Sequence, residues 1–302
     1  MSAMRGPSGE RLYGTTDLPV LLPAAERLRR RDRLERASGG PMLRLQAWHG
    51  LALAALVLLW AGVVWAQGEA AGTEQQESVI AAIWRWLPVL LGGFVFNIAI
   101  SFMSMGIGTA TGTLLGIMQV SELRGLRGSS WVVTQFFRNA PWLVLLFYCM
   151  FLLPFEFTVL GLTIPFPDWI KAVIGLALPV MANVSEIVRG AIQSIPSGQW
   201  EAAHSLAFNR RQILWQIILP QCVKRMLPPW MNLYAILTMA TVLASVVGVG
   251  EVMTLTQRVL SAENRPEFLV PFYGFVMLLF FVYCYPIART TQKLELRYAV
   301  KQ

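Results

Sequence analysis

The sequence predicts an all-α integral membrane protein with six membrane-spanning helices. Of its 302 residues, 55% are hydrophobic and only 14% are charged, whereas soluble domains carry about 25% charged residues. The mean hydropathy of +0.53 agrees with this composition. Because a helix needs about 20 apolar residues to cross the hydrocarbon core of a bilayer, stretches without Asp, Glu, Lys or Arg mark the candidate spans.

Six such stretches follow one another along the chain. They are residues 45–68, 86–121, 139–155, 172–185, 226–250 and 268–288. The second stretch is long enough to extend past the membrane. Its Gly108, Gly112 and Gly116 recur at helical spacing, so they share one helix face that another backbone can approach closely. The fourth stretch is short, and it spans the membrane only if Glu186 lies within or at the edge of the bilayer.

The basic residues predict the orientation of these spans. With the N-terminus placed in the cytoplasm, only four of the 25 Lys and Arg residues fall outside: Arg85, Lys171, Arg258 and Arg265. Cytoplasmic loops of membrane proteins accumulate Lys and Arg. We therefore expect both termini in the cytoplasm of a bacterial inner (plasma) membrane. This placement explains the net charge of +8 without a nucleic-acid partner.

Residues typical of catalysis or metal binding are sparse. His49 and His204 are the only histidines, and Cys149, Cys222 and Cys284 are scattered through apolar segments without metal-ligand spacing. The sequence has no Gly-rich loop followed by Lys and Ser or Thr, which binds phosphates in ATPases. The sequence therefore predicts no catalytic site, no metal site and no ATP site in this chain.

The loop between the fourth and fifth spans has a helical pattern of its own. It reads as a short helix, a turn at Asn209, and a second helix that ends before Pro220. Residues of one helix face recur at helical spacing, and they are mostly small: Ala202, Ala203, Leu206 and Ala207. Such a face can sit in a groove of a partner protein. The alternative is a helix that lies on its own protein.

This loop resembles the EAA loop of binding-protein-dependent ABC importer permeases. The family pattern is Glu-Ala-Ala, three residues, Gly, nine residues, Ile, one residue, Leu-Pro. The matching residues stand in the same register: Glu201, Ala202, Ala203, Ala207, Ile217, Leu219 and Pro220. Only Ala207 departs from the pattern, and replacing Gly by another small residue is expected to preserve a close approach. The resemblance implies that residues 201–220, here called the EAA loop, contain a coupling helix that docks into an ATPase subunit.

The flanking segments are similar to the polar amino acid (histidine/glutamine-type) branch of that family. Phe137–Val144 resembles its Phe-Arg-Gly-Thr-Pro-Leu-Leu-Val signature, and Ser185–Gly190 and Leu243–Val249 resemble the segments on either side of the loop. The likeness covers residues 92–298. It implies a transmembrane permease subunit that imports amino acids or related small polar solutes.

Two departures from this branch concern the solute. Met239 and Ala240 stand where many relatives have Lys-Asp, and Leu145 stands where many have Gln. An opine or another amino-acid derivative therefore remains an alternative solute. An ATPase-independent carrier and a membrane scaffold remain alternative functions, although a carrier is expected to have several intramembrane ionisable groups and only Glu186 is identified as one.

The resemblance also implies the architecture and the partners. We expect a five-helix type I importer core at residues 86–290, preceded by an Arg-rich cytoplasmic tail (1–44) and an extra helix (45–68), and followed by a cytoplasmic tail (291–302). A second permease subunit, either this chain or a homologue, would complete the path. ATPase subunits would bind ATP and Mg, and a periplasmic solute-binding protein would deliver the small polar solute.

Polar residues within the spans are candidates for the solute path. Glu186 either contacts a cationic group of the solute, pairs with Arg189 one helical turn later, or is simply exposed at the cytoplasmic end of its span. Neutral polar lining is expected from five further residues: Asn183, Asn97, Ser101, Thr241 and Ser245. Each of these five can instead hold helices together, because membrane interfaces favour small and polar residues.

Overall fold

The computed structural model describes residues 78–159 and 162–298. The predicted extra helix at 45–68 and the Arg-rich tail lie outside the described residues. The described part is mostly helical, as predicted. In chain order its elements are α1 (Val79–Gln119), α2 (Arg124–Asn139), α3 (Trp142–Leu152), β1 (Glu156–Val159), β2 (Leu162–Pro165), α4 (Asp168–Gln193), α5 (Ser197–Ser205), α6 (Arg210–Gln212), α7 (Leu219–Ala240), α8 (Val252–Glu263) and α9 (Leu269–Tyr298).

Four described helical stretches are long and apolar enough to cross a membrane. They are Val79–Gln119, Asp168–Gln193, Arg210–Ser245 and Pro266–Arg297. Each contains most of one predicted span. The predicted span at 139–155 differs, because its apolar helix α3 has only 11 residues.

A proline separates α2 from α3. α2 ends at Asn139, and both Ala140 and Pro141 have extended backbones. The ring of a proline disfavours helical geometry at the residue before it, so the helix cannot continue through Ala140. α2 packs on α1 and α4. It therefore belongs to the helix bundle and precedes the apolar segment that the sequence predicted to begin at Asn139.

The most extensive helix contact joins α1 to α4. A Cβ atom added to Gly108 would lie 2.4 Å from Val180 Cγ1, and one added to Gly112 would lie 2.5 Å from the carbonyl oxygen of Met181. At Gly116 the nearest atom would be the Ser185 carbonyl oxygen at 2.7 Å. The three glycines therefore form a seam along which α4 lies directly on the α1 backbone, as their spacing predicted.

The helix after the EAA turn continues through Pro220, so the prediction that it ends before Pro220 was wrong. Residues Ile213–Ile218 form a π-helical turn, and α7 then begins with Pro220 in its first turn. Proline lacks an N–H group and is tolerated in the first turn of an α-helix. The π-helical turn lets the α-helix restart at Leu219 and places the proline where no N–H is needed.

A second break separates α7 from α8. A 3-10 turn at Thr241–Ser245 ends the long helix, and the chain turns through Gly248, whose φ of 88° suits a residue without a Cβ. α8 then runs along α1, so that Glu263 reaches Arg85 with a 2.5 Å ion pair. Segments predicted to lie outside the membrane therefore meet at the same end of the bundle.

A β-hairpin lies between α3 and α4. β1 and β2 pair antiparallel, with Glu156 opposite Pro165. Lys171, predicted to lie in this outer loop, is fully buried in the first turns of α4. Its Nζ lies 3.3 Å from Asp168 Oδ1 and 3.4 Å from the centroid of the Phe155 ring. The ion pair and the aromatic ring offset part of the cost of burying this charge, although the Nζ makes no hydrogen bond within the described residues.

The glycine seam can be tested by comparing two alanine substitutions on α1. Gly→Ala in a helix stabilises by about 0.5–1 kcal/mol where space exists, and a Cβ at Gly106 would have no atom within 4 Å. At Gly112 the added methyl would overlap the Met181 carbonyl oxygen, and overpacking costs about 1–3 kcal/mol. We expect Gly112→Ala to lower the thermal unfolding midpoint in detergent and Gly106→Ala to maintain or raise it. Equal shifts of the two midpoints would contradict the seam.

Candidate functional site

The EAA loop contains the second half of α5, a tight turn, α6, the π-helical turn and the first two residues of α7. The turn ends at Asn209, whose side chain accepts a hydrogen bond from Gln212 N at 2.9 Å, while the Gln212 side chain accepts one from Asn209 N at 2.9 Å. This reciprocal capping box satisfies two N–H groups at the start of α6. The predicted turn at Asn209 is therefore confirmed, and its cap fixes the direction in which α6 leaves the turn.

The predicted narrow face of α5 is only partly exposed. Glu201 and Ala202 face outward, and Leu206 is 72% exposed. Ala203 is only 3% exposed and belongs to the same core cluster as Ile213 and Ile218. The prediction that Ala203 shares an exposed docking face was therefore wrong, because this residue anchors α5 to its own bundle.

Ala207 has a left-handed backbone, with φ of 59°. Its side chain is exposed, so the position does not provide the close approach that the sequence suggested. The left-handed region costs a non-glycine residue roughly 1–2 kcal/mol. The glycine of the family pattern thus suits this backbone conformation, and alanine adopts the same turn under strain.

Arg210 ties the EAA loop to the end of α1. Its guanidinium forms an ion pair with Glu122 and donates from Nη2 to the carbonyl oxygen of Val120 at 3.2 Å. Both charged side chains are substantially exposed, and such pairs stabilise only weakly. The contact nevertheless fixes which part of α1 lies beside the loop.

The last two predicted coupling residues of the EAA loop lie at the start of α7. Leu219 is half-buried there, and Pro220 is exposed.

Glu186 forms the ion pair with Arg189 that the sequence suggested as one alternative. Arg189 Nη2 lies 2.5 Å from Glu186 Oε2, and Nε donates to Oε1 at 3.3 Å. Arg138 adds a second guanidinium 3.7 Å from the same carboxylate. The Glu186 side chain is only 13% exposed. Its charge is therefore compensated within the protein.

A cavity of about 540 Å³ lies beside Glu186 and is open to the surroundings of the chain. We call it the polar cavity. One wall is a face of α4, the other wall is α7, and the end of α2 contributes Arg138. It is lined by Arg138, Asn183, Glu186, Ile187, Gly190, Ala191, Ser194, Arg225, Pro229, Asn232, Leu233 and Ile236. The structure thus brings together two of the six predicted path residues, Asn183 and Glu186.

The other four predicted path residues lie away from the polar cavity. Ser101 is buried, donates to the Ile98 carbonyl oxygen at 2.7 Å and contacts Tyr234 Oη at 3.3 Å. Ser245 donates to the carbonyl oxygen of Val242 at 2.7 Å. Asn97 and Thr241 are fully buried and bonded to each other. In this conformation Asn97, Thr241 and Ser101 hold helices together, which is the alternative that the sequence left open, whereas Ser245 bonds within its own turn.

A buried carboxylate that sequence reasoning missed lies beside Asn97. Glu251 is fully buried, and its Oε2 accepts from Asn97 Nδ2 at 2.9 Å. Its Oε1 accepts from Thr254 N at 3.0 Å, and Asn97 Oδ1 accepts from Val252 N at 3.0 Å. These two side chains, with Thr241, form what we call the α1–α8 knot. A cue was present, since an acid three residues before Thr254 and directly after a glycine turn is typical of a helix cap.

Glu251 is a second ionisable group within the bundle, where the sequence had identified only Glu186. Glu251 joins Glu186 as a buried acid within the bundle. All of its described hydrogen bonds go to Asn97 and to the first turn of α8. This pattern is that of a helix cap.

The left-handed turn at Ala207 can be tested with a matched pair of glycine substitutions. Ala207→Gly removes the strain of a positive φ, and we expect it to stabilise the protein by about 1 kcal/mol. Ala202→Gly, in the exposed middle of α5, is expected to destabilise by about 1 kcal/mol. Thermal unfolding midpoints in detergent measure both. A loss of stability in Ala207→Gly would be inconsistent with this backbone conformation.

The α1–α8 knot predicts a graded response at Glu251. Glu251→Ala removes the cap of α8 and a partner of Asn97, and capping residues contribute about 0.5–2 kcal/mol. Glu251→Gln keeps an acceptor oxygen for Thr254 N. We expect a clearly lower unfolding midpoint for the alanine variant and a smaller decrease for the glutamine variant. If the two variants were equally stable, the carboxylate oxygens would not cap the helix.

Comparison with known proteins agrees with this architecture. Residues 108–289 match the family described as binding-protein-dependent transport system inner membrane component. An L-cystine transport system permease protein of Bacillus subtilis (strain 168) is 31% identical over 210 residues, covering 70% of this chain and 86% of that protein. A probable amino-acid ABC transporter permease protein of the same organism is 34% identical over 212 residues, covering 70% and 90%.

A solved structure supports the fold. The crystal structure of an amino acid ABC transporter with histidines has a chain that matches with a TM-score of 0.62 at 24% identity, covering 71% of this chain and 96% of that chain. Likeness at this identity speaks for the fold alone. The family match extends over more than half of this chain, so the protein belongs to the inner membrane components of binding-protein-dependent transport systems, as a non-catalytic permease subunit.

Proposed function

We propose that the chain forms part of the translocation path for amino acids or related small polar solutes and couples it to a separate ATPase through the EAA loop. The observation that carries this proposal is the geometry of α5. Glu201 and Ala202 face outward at one end of the bundle, while Ala203 anchors the helix from behind. A short helix that is exposed on one side and anchored to its own bundle on the other can bind a partner and pass the partner's movement on to the bundle.

The relatives support the solute class. Their names refer to L-cystine and to amino acids, and the likeness extends over most of each relative. We propose an amino acid or an amino-acid derivative as the solute. Within the chain, Glu186 and Asn183 are the predicted path residues that line an open cavity, so we assign the path to the polar cavity.

The proposed assembly follows the family. Two permease subunits, either two copies of this chain or one with a homologue, would surround one path. ATPase subunits would bind ATP with Mg and contact Glu201, Ala202, Ala207, Leu219 and Pro220, with Ala203 acting from within the bundle. A periplasmic solute-binding protein would deliver the solute from the other side of the membrane. Alternating access between the two sides would then follow from movement of the helices around the path.

We also propose six membrane spans with both termini in the cytoplasm. Four described helical stretches are long and apolar enough to span. α2 and α3 together would provide a fifth, interrupted at Ala140 and Pro141. Residues 45–68 would provide the sixth, preceded by the Arg-rich tail at 1–44. The importer core would then occupy residues 86–290, followed by a short cytoplasmic tail at 291–302.

Coupling through α5 can be tested with substitutions that leave the bundle intact. We expect Glu201→Ala and Ala202→Trp to reduce solute uptake per ATP hydrolysed at least tenfold in proteoliposomes, because both change the exposed face of α5. The matched control is Glu295→Ala, which removes an exposed glutamate from α9 far along the chain from the loop.

The readouts separate loss of coupling from loss of folding. All three variants should insert and give the wild-type gel-filtration profile. ATPase subunits should be retained by the control and lost, or retained without coupled uptake, in the two α5 variants. Normal coupled uptake by both α5 variants would exclude α5 as the docking helix.

A further inference from the structure

A second open cavity, of about 420 Å³, lies where the end of α1, the start of α2 and the EAA loop meet. We call it the basic pocket. Its lining is mostly apolar: Ile117, Val120 and Leu214 also pack against the core of the bundle. Leu123 and Leu126 line it from the start of α2, and both are exposed. The described residues thus leave an apolar cleft unfilled at this end of the bundle.

The charged groups at the basic pocket are mostly cationic. Arg210 and Arg211 line it together with one acid, Glu122, and Arg210 is paired with that acid. The side chain of Arg211 makes no hydrogen bond or ion pair within the described residues, nor do those of Arg124 and Arg127 in the first turn of α2. Three guanidinium groups therefore stand uncompensated around the cleft, where they repel one another and attract an anion.

The basic pocket lies at the boundary of the membrane. Two candidate spans, Val79–Gln119 and Arg210–Ser245, end beside it. One helical turn beyond the arginines of α2 and of the EAA loop, Trp131 is 54% exposed and Trp215 is 55% exposed. Tryptophan is enriched where the lipid headgroups meet the hydrocarbon core. The arginines are therefore placed at the depth of the headgroups, with the apolar lining directed toward the acyl chains.

We propose that the basic pocket binds an anionic phospholipid. Arg124, Arg127 and Arg211 donate to the headgroup phosphate, whose geometry a guanidinium matches, and the apolar lining contacts the first carbons of an acyl chain. Basic pockets between membrane helices bind anionic headgroups in this way. A free phosphate would satisfy the arginines but would leave the apolar lining exposed to water, so the lipid accounts for both parts of the pocket.

The bound lipid would also have a structural effect on the EAA loop. Arg211 belongs to the loop, whereas Arg124 and Arg127 belong to α2. A phosphate bound to all three replaces a repulsion between the two segments with an attraction through a shared anion. The lipid would thus hold the EAA loop to α2. This site is separate from the polar cavity and does not depend on the identity of the solute.

Lipid binding can be measured by native mass spectrometry. The full-length permease is purified in mild detergent with the subunits that it retains, and phosphatidylglycerol or phosphatidylcholine with the same acyl chains is titrated in. We expect phosphatidylglycerol to bind at least tenfold more tightly. Arg211→Gln and Arg127→Gln should each weaken its binding about fivefold, the contribution of one basic residue near an anionic headgroup. Arg289→Gln, at an exposed arginine of α9, is the matched control and should bind like the wild type.

A second variant tests the cleft without changing the charge. Leu126→Trp keeps every arginine but fills the space beside them, and it should weaken phosphatidylglycerol binding at least fivefold while the gel-filtration profile stays that of the wild type. Unchanged affinity in Leu126→Trp would mean that surface charge alone attracts the lipid, and the proposal would fail.

Three further results would overturn the proposal. The first is equal affinity for the two lipids, and the second is arginine variants that bind phosphatidylglycerol like the control. The third is phosphatidylglycerol that binds only after the ATPase subunits are removed, which would assign the basic pocket to the contact between subunits. Displacement of the lipid by inorganic phosphate at the same concentration would also contradict it, because the apolar lining would then add nothing to binding.

Discussion

The direct contact between the backbones of α1 and α4 is the constraint on which the rest of the described structure depends. Lipid is as apolar as a leucine side chain, so helices in a membrane associate mainly through close packing and hydrogen bonds. Gly108, Gly112 and Gly116 permit that packing by leaving no side chain between the two helices. The partner residues Val180 and Val184 recur every four residues along α4. Asn183 and Glu186 do not lie on this valine row, and they contribute the polar groups of the α4 wall of the cavity.

α1 also supports the break between α7 and α8. Backbone groups without partners cost several kcal/mol within a bilayer, and a break in a helix frees such groups. Asn97, near the middle of α1, supplies an acceptor to Val252 N and donates to both Thr241 and Glu251. One amide side chain thus satisfies a backbone N–H at the start of α8 and bonds side chains on both sides of the break. The glycine seam and the α1–α8 knot act from the same helix, so α1 serves as the fixed element of the bundle.

The sequence predicted the positions of the helices well and the surroundings of their charged residues poorly. Both results follow from the way in which the spans were identified, as stretches without charged residues. Helical class, the glycine face and the turn at Asn209 are local properties of the chain. A search for stretches without charge, however, places every charged residue at a boundary. Five such boundary residues lie within the bundle or at a helix cap inside it: Arg138, Lys171, Glu186, Arg225 and Glu251. Some of their partners are one helical turn away, as Asp168 is for Lys171, but others are distant in sequence, as Arg138 is for Glu186 and Asn97 is for Glu251, and sequence separation conceals those partners.

The EAA loop and the polar cavity are connected through the same two helices. The loop joins α4 to α7, which are the two walls of the cavity, so a displacement of α5 acts on both walls through the chain itself. Ala203 holds α5 to Ile213 and Ile218 at the entrance to α7, and Arg225 bonds Ser194 at the end of α4. If α5 is the docking helix proposed above, its displacement would reach the residues that line the cavity, one of which is Arg225. Within the proposed function, the bond from Arg225 to Ser194 would therefore link a movement of α5 to both walls of the cavity.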